Sequence, residues 1–453
     1  MNNKLSNIFK GDKVIWMVFF FLCIISIVEV YSASSQLTYG TDSYLGPVSK
    51  HFSIMAVGFV LMLLTQNIKC RYFKIVTPFM LIISILTLIY VFIAGHATNG
   101  AQRWIPLFGF QFQPSELAKG TMILATAQIL SAMQTENGAD RQAFKYILIV
   151  GATIIPLIFV ENFSTAALLS AVVFMMMVIG RVPTQQLGKL LGVSVTLVGL
   201  FIAVVLIFGK EEKPLDKDKK LTEKVELATD DKAKEEEGLV SKVFHRFGTW
   251  KGRILKFASN EEVLAKDYDL DENGQVGHAN IAIASSNIVG KGPGNSESRD
   301  WLPQAFSDFI FAIIIEELGL LGAIVVAFLY IILLMRAGRI ANRCENTFPA
   351  FLAMGLALLI VTQALFNMCV AVGLAPVTGQ PLPLVSKGGT STITSCIYIG
   401  MILSISRSAK KNQGEEDETS KKNIVKASMS LFHKITQKIR KDKKNDYLCM
   451  LAT

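Results

Sequence analysis

Ten stretches of this chain are apolar for long enough to form membrane-length helices: residues 15–34, 50–66, 73–94, 115–133, 144–160, 164–180, 187–208, 308–335, 348–370 and 390–406. A bilayer core of about 30 Å needs roughly 20 apolar residues per helix. The pattern predicts an all-α integral membrane protein with about ten transmembrane helices. The fourth run is the weakest, because Glu116 and Lys119 sit in its first turn. Helices one to seven fall within 1–209 and helices eight to ten within 308–407, with a large polar segment, 210–307, between them and a basic tail, 408–453, after them. No internal repeat is visible.

Inside the polar segment, 210–237 mixes lysine with acid, has almost no apolar residues and is expected to be disordered. Residues 238–257 alternate apolar positions with Lys242, Arg246, Lys251 and Arg253, the pattern of an amphipathic helix on the bilayer or capping the bundle. Asp269 to Gly274 imitates the start of a calcium loop, but the twelfth position, which should be a bidentate Glu, is Asn280. In the tail, Ile424 to Ile439 reads either as a basic amphipathic helix or as a solvated segment.

Composition supports the membrane reading. The chain is 51% hydrophobic and 18% charged, with mean hydropathy +0.43; soluble domains carry about 25% charged residues. Lys4, Lys10 and Lys13 precede helix one, Lys69, Arg71 and Lys74 follow helix two, Arg181 and Lys189 follow helix six, and Arg336, Arg339 and Arg343 follow helix eight. The positive-inside rule then puts both termini in the cytoplasm and the loops 35–49, 95–114, 209–307 and 371–389 outside. The net charge of +9 is this bias plus a tail facing anionic lipid, and does not call for nucleic acid. Six cysteines show neither a disulfide framework nor metal-site spacing: Cys23, Cys369 and Cys396 lie in apolar runs, Cys70, Cys344 and Cys449 on the cytoplasmic side. Val14 to Val28 followed by Ser32-Ala33-Ser34 imitates a cleaved signal; its length favours a retained helix.

The most unusual stretch is Gly373-Leu-Ala-Pro-Val-Thr-Gly-Gln-Pro-Leu-Pro-Leu-Val-Ser-Lys-Gly-Gly-Thr-Ser391, a loop rich in proline and glycine between two apolar runs. Pro376, Pro381 and Pro383 remove donors and fix φ. In hydrocarbon such backbone survives only against protein or a water-filled cavity. Gly100-Ala-Gln-Arg-Trp-Ile-Pro-Leu-Phe-Gly with Phe112-Gln-Pro-Ser-Glu-Leu-Ala-Lys119, and Trp301-Leu-Pro-Gln-Ala-Phe-Ser-Asp-Phe-Ile-Phe through Gly319, are two further polar signatures. Together the three resemble, in order, the signatures of the SEDS family (shape, elongation, division and sporulation proteins). Tyr31-Ser-Ala-Ser34 matches the end of that family's first helix, and Gly290, Gly292, Gly294 and Ser296 fit its G-x-G-x-G-x-S. Gln304 and Phe306 stand where the family has Glu and His, Lys387 where it has Tyr, and Glu161-Asn-Phe-Ser-Thr165 where many members have P-D-x-G-T.

The residues themselves point to chemistry near one membrane face. Asp308 is expected where the outer loop meets helix eight, with Ser307 as a possible cap. On a straight helix Glu316 would lie about 80° and Glu317 about 180° around from it. Glu116 and Lys119, three apart, share one helix face and either neutralise each other or meet a phosphate. Arg103 lies in an outer loop beside Trp104, and Lys291 and Arg299 add positive charge near the Gly290 motif.

The resemblance implies a peptidoglycan glycosyltransferase that polymerises lipid II, the undecaprenyl-pyrophosphate-linked disaccharide peptide, with Asp308 catalytic. It further implies substrate contacts at Arg103, Glu116, Lys119, Lys291, Glu316, Thr378, Gln380, Ser386, Gly388 and Gly389. A divalent cation such as Mg2+ is compatible with that chemistry, though no residues are assigned to one. Expected partners are a class B penicillin-binding transpeptidase and other division proteins, at the septal cytoplasmic membrane. The basic tail and variant motifs lean toward a division-type rather than an elongation-type member. A lipid II flippase and a non-catalytic scaffold remain the alternatives.

Overall fold

A computed structural model describes residues 9–33, 46–94, 96–98, 101–107, 110–208, 251–252, 255, 270–302 and 305–409. The expectations for 210–237, for most of 238–257 and for the tail beyond 409 lie outside the described residues. Each of the ten apolar runs is a helix. In chain order these are α1 (Lys13–Ala33), α2 (Gly46–Thr65), α3 (Cys70–Ala94), α4 (Pro114–Ala132), α5 (Arg141–Glu161), α6 (Phe163–Ile179) and α7 (Thr184–Phe208). After α8 (Leu270–Ala284) come α9 (Ile310–Ala341), α10 (Thr347–Ala371) and α11 (Gly389–Ala409). Eight of these helices are long and apolar enough to cross a bilayer. The other two runs are α6, at 17 residues, and α4, whose first turn is charged. The architecture is that of a multi-pass membrane protein.

Local sequence explains the helix starts. Asp140 accepts from Gln142 N at 3.0 Å to cap α5, Asn162 accepts from Ser164 and Thr165 N to cap α6, and Pro114 occupies the first turn of α4, where its missing donor costs nothing. α9 packs on α10 and α1, and α4 on α3 and α10. α11 is wedged between α2 and α4 at glycines: a Cβ on Gly400 would come 2.8 Å from Met62 O, and one on Gly120 2.6 Å from the Tyr398 ring. Close approach at small residues is how membrane helices pack without a hydrophobic drive. α3 and α7 instead turn side chains such as Ile93 and Leu200 outward, the face a bilayer covers.

Three expectations are corrected. The 95–114 segment is not simply loop: β1 (His96–Thr98), β2 (Ala101–Leu107) and β3 (Phe110–Phe112) form an antiparallel sheet, Ile105 opposite Phe112. A shorter hairpin, β4 (Gln134–Thr135) with β5 (Gly138–Ala139), follows α4. The large polar segment contains α8, so the calcium-loop look-alike is helical from Leu270 onward. Its Ala279 and Ala282 pack against Leu302, Phe309 and Ile313.

The third correction concerns 308–335, which is not one straight span. α9 is broken at Gly319, with φ 71° and ψ −174°, a region essentially reserved for glycine. On a straight helix Ser307 and Tyr330 would be separated by about 35 Å. Yet Ser386 Oγ donates to Ser307 O, and Tyr330 OH donates to Pro383 O, three residues away in the loop. Three residues span about 10 Å at most. The break therefore folds 310–318 back beside 320–341 as a half-helix, buried from Ile310 to Glu317. Asp308 precedes that half-helix inside the bundle. Phe309, not Ser307, occupies the cap position.

Candidate active site

The proline-rich loop enters the bundle, and its carbonyls find side-chain donors there because prolines interrupt any backbone ladder. Asn367 of α10 donates through Nδ2 to Gln380 O at 2.7 Å and to Asp308 O at 2.8 Å. Gln363, one turn earlier, donates to Pro381 O at 3.1 Å. Gln380 Nε2 donates to Thr165 Oγ1 at 2.6 Å. Ser386 Oγ donates to Ser307 O at 2.5 Å and accepts from Leu382 N at 2.7 Å. One amide thus ties the loop to the Asp308 backbone, and one hydroxyl ties it to the residue before.

Asp308 is 7% exposed and faces the loop at Gly379, where a Cβ would stand 3.9 Å from Oδ2. The hydroxyl of Thr378, also buried, has no hydrogen-bond partner among the described residues. Gly388 adjoins Pro381, and Gly389 faces the Gln111 carbonyl. Thr390 Oγ1 donates to Gln111 O at 2.7 Å and accepts from Gln113 N at 3.2 Å, tying the loop to the strand before α4.

Glu116 and Lys119 are sealed in the core, at 3% and 0% exposure. Lys119 Nζ donates to Glu116 Oε1 and Gln363 Oε1, both at 2.8 Å. Their charges are used on each other and on Gln363, which in turn holds Pro381. The pair therefore bridges α4 to Gln363 and, through it, to the loop. Arg103 lies on β2, and its side chain is outside the described residues.

Lys291 and Glu316 belong to a second cluster, at the Gly319 break. Lys291 Nζ pairs with Glu316 Oε1 at 2.9 Å, and that hydrogen bond raises the lysine pKa above its ordinary value. Ser296 Oγ donates to Glu316 Oε2 at 2.5 Å. Glu317 accepts from Gly294 N at 2.9 Å, from Ser296 N at 3.3 Å and from the Ser32 hydroxyl. Backbone N–H groups of Lys291 and Gly292 meet the carbonyls of Glu316 and Glu317 that the break frees. Gly290 must be glycine, since a Cβ would lie 2.3 Å from Glu317 O. Asp308 precedes the helix, so the straight-helix angles from it to Glu316 and Glu317 do not apply, and one loop binds both carboxylates.

The structure brings Asp308, Glu116, Lys119, Thr378, Gln380, Ser386, Gly388 and Gly389 together, and leaves Lys291 and Glu316 at the break. Sequence reasoning missed Gln363, Asn367 and Thr165. The signal was there: Gln363 and Asn367 are polar residues four apart in an otherwise apolar run. Asn162, in place of the family's aspartate, caps α6, a task asparagine performs as well.

The arrangement defines a class: a multi-pass helical membrane protein whose buried carboxylate sits under a proline-rich loop between a broken helix and the bundle core. Comparison with known sequences gives the family. A model described as cell cycle protein, for FtsW, RodA and SpoVE, matches residues 12–216 and 240–411, and the chain belongs to that family. It is 27% identical over 397 residues to the peptidoglycan glycosyltransferase MrdB of Escherichia coli K12, covering 87% of this chain and 93% of MrdB. It is 29% identical over 415 residues to a probable peptidoglycan glycosyltransferase FtsW of Bacillus subtilis, covering 87% and 90%. Among solved structures it is similar to one described as a peptidoglycan synthase complex that coordinates polymerization and crosslinking (TM-score 0.60, 23% identity, 88% and 98% covered). It is also similar to the rod shape determining protein RodA of Thermus thermophilus (TM-score 0.56, 21% identity, 88% and 97% covered). At these identities the structural likenesses speak for the fold.

Proposed function

We propose that this chain is a peptidoglycan glycosyltransferase that polymerises lipid II, with Asp308 accepting the proton of the attacking hydroxyl. The reading rests on one observation above all. Asp308 is buried beside a polar loop, and Asn367 and Ser386 tie that loop to the backbone of Asp308 and of the residue before it.

An α-linked donor giving a β-1,4 product inverts the anomeric carbon, so one direct displacement suffices. That step needs a base for the acceptor 4-hydroxyl and neutralisation of the departing pyrophosphate. Asp308 is the base. Asn367 fixes its backbone, and the Glu116–Lys119–Gln363 chain fixes the loop beside it. Gly379 of the loop faces the carboxylate, where a Cβ would stand 3.9 Å from Oδ2. Mg2+ is usually held by one or two carboxylates together with substrate phosphates; were Asp308 such a ligand in place of a base, the ion would offset the charge of the leaving group.

Asp308→Asn keeps the shape and removes the proton acceptor. Purified protein carrying it should insert and melt like wild type, while polymerisation falls by at least ~10²-fold. Near-normal polymerisation by that variant would end the proposal, and translocation retained alongside lost polymerisation would separate the two activities. We place the loop at the outer face of the cytoplasmic membrane, at the septum, with a class B penicillin-binding transpeptidase as partner. Depletion should then give filaments; round cells would assign the chain to elongation.

A further inference from the structure

Two lysines at the loop-bearing end of the bundle form no ion pair among the described residues. Lys387 closes the proline-rich loop. Its N–H donates to Phe306 O at 2.9 Å, and its ammonium lies 4.9 Å from the centre of the Phe306 ring. A cation held against a ring face keeps its N–H donors for another ligand. Lys50 is exposed, one turn into α2.

Hydrogen bonds bring the two elements together. Ser26 Oγ of α1 donates to Val385 O at 2.7 Å and bonds His51 Nε2 at 2.9 Å. The neighbour of Lys50 and the residue two before Lys387 thus share one hydroxyl. His51 is 2% exposed, and its Nδ1 has no partner among the described residues. Burial, and then the charge of Lys50, hold the Lys387 pKa below the ordinary lysine value. The groups facing this place are Ser26 from α1, Lys50 and His51 from α2, and Phe306 from the stretch that carries Asp308. Beyond Lys50, α2 turns Phe52, Val57 and Val60 outward, and α1 turns Phe20, Phe21 and Ile24 outward.

We infer that Lys50 and Lys387 hold the pyrophosphate of a polyprenyl-linked substrate, with its chain lying along the apolar faces of α1 and α2. Lysine is a compact point charge suited to phosphate oxygens, and charge-assisted bonds to phosphate are among the stronger ones. Two neighbouring cations without a counter-charge repel, and an anion between them removes the conflict. Phe306 and Lys387 stand where the family pattern has histidine and tyrosine, so ring and cation-bearing group have exchanged sides in this chain. The inference rests on the glycosyltransferase reading for the identity of the lipid, and not for the site itself.

The test uses the full chain in nanodiscs of neutral phosphatidylcholine, with undecaprenyl pyrophosphate as the probe. Lys387→Met and Lys50→Met, each with a wild-type melting temperature, should each raise the probe's Kd by about tenfold, the size of one charge-assisted bond, and the folded double variant by about a hundredfold. Lys387→Arg should stay within about twofold of wild type, and inorganic pyrophosphate should compete. In turnover the Lys387→Met effect should appear in KM for lipid II and spare kcat. An unchanged Kd in the folded double variant overturns the assignment. So does a loss confined to binding of phosphatidylglycerol vesicles, which would mean that the lysines meet bulk anionic lipid. Lysine-dependent binding in a wild-type chain that never polymerises would refute the enzymatic reading and leave this site standing.

Discussion

Single side chains in this protein divide by what their charges face. Asp308 faces the loop, whereas Glu317 faces donors of its own chain: Gly294 N, Ser296 N and the Ser32 hydroxyl. Glu317→Gln turns an amide toward those donors and leaves at least one unmet, at a cost of about 1–3 kcal/mol. Thermal melting in detergent should register the loss, while the surviving protein keeps most of its turnover. Loss of turnover without loss of stability would instead make Glu317 part of the chemistry. Gln363→Leu tests the other group. It strips Lys119 of an acceptor and Pro381 O of a donor, so polymerisation should fall even in protein that remains folded, because the loop is no longer held over Asp308. Unchanged activity would show that the loop needs no such anchor.

Among the elements, the broken α9 decides where the site lies. Its first two turns, Ile310 to Ile315, are apolar on every side, and such a helix must be covered all round; α8, Leu302 and the loop cover it. The break needs a residue at φ 71° against which another backbone can press. A Cβ at Gly319 would meet Gly290 N at 2.4 Å. Gly319→Ala should therefore destabilise the protein by about 3 kcal/mol or more, through backbone strain and the clash together. It should also reduce polymerisation, because the half-helix that carries Asp308 loses its return path. A variant with wild-type melting and activity would mean that 308–341 can straighten without harm.

At the scale of the whole molecule, the bundle is polar at one end and basic at the other. If positive charge marks the cytoplasmic side, a single-cysteine probe at Asn342, beyond α9, should resist an impermeant reagent applied from outside, and one at Asp230 should react. External labelling at Asn342 would invert the molecule and put the site in the wrong compartment. Residues 211–236 carry little apolar surface to bury. Their deletion should leave melting and polymerisation within about twofold of wild type; a stably expressed but inactive deletion would mark them as a partner's binding element.

Hydrophobic runs are a local property, so the ten helices, and the polar loops between them, could be read along the chain without knowing what touches what. The three polar signatures, and Asp308 within one of them, were legible for the same reason: unusual residues stand out against an apolar background. The sequence by itself determined the class of protein, the family it resembles and the stretches that carry its chemistry. Position in space was another matter. A glycine inside an apolar run is compatible with a straight span or a reversal, and only the backbone of 288–292 pressed against Gly319 decided for reversal. Glu116 and Lys119 share a helix face by their spacing, but only Gln363, 244 residues away, joins them to the loop. Lys387 reads along the chain only as a departure from the family's tyrosine, and Ser26 joins its loop to the helix that carries Lys50. Each of these outcomes depends on contacts between residues remote in the chain, which the tertiary structure supplies.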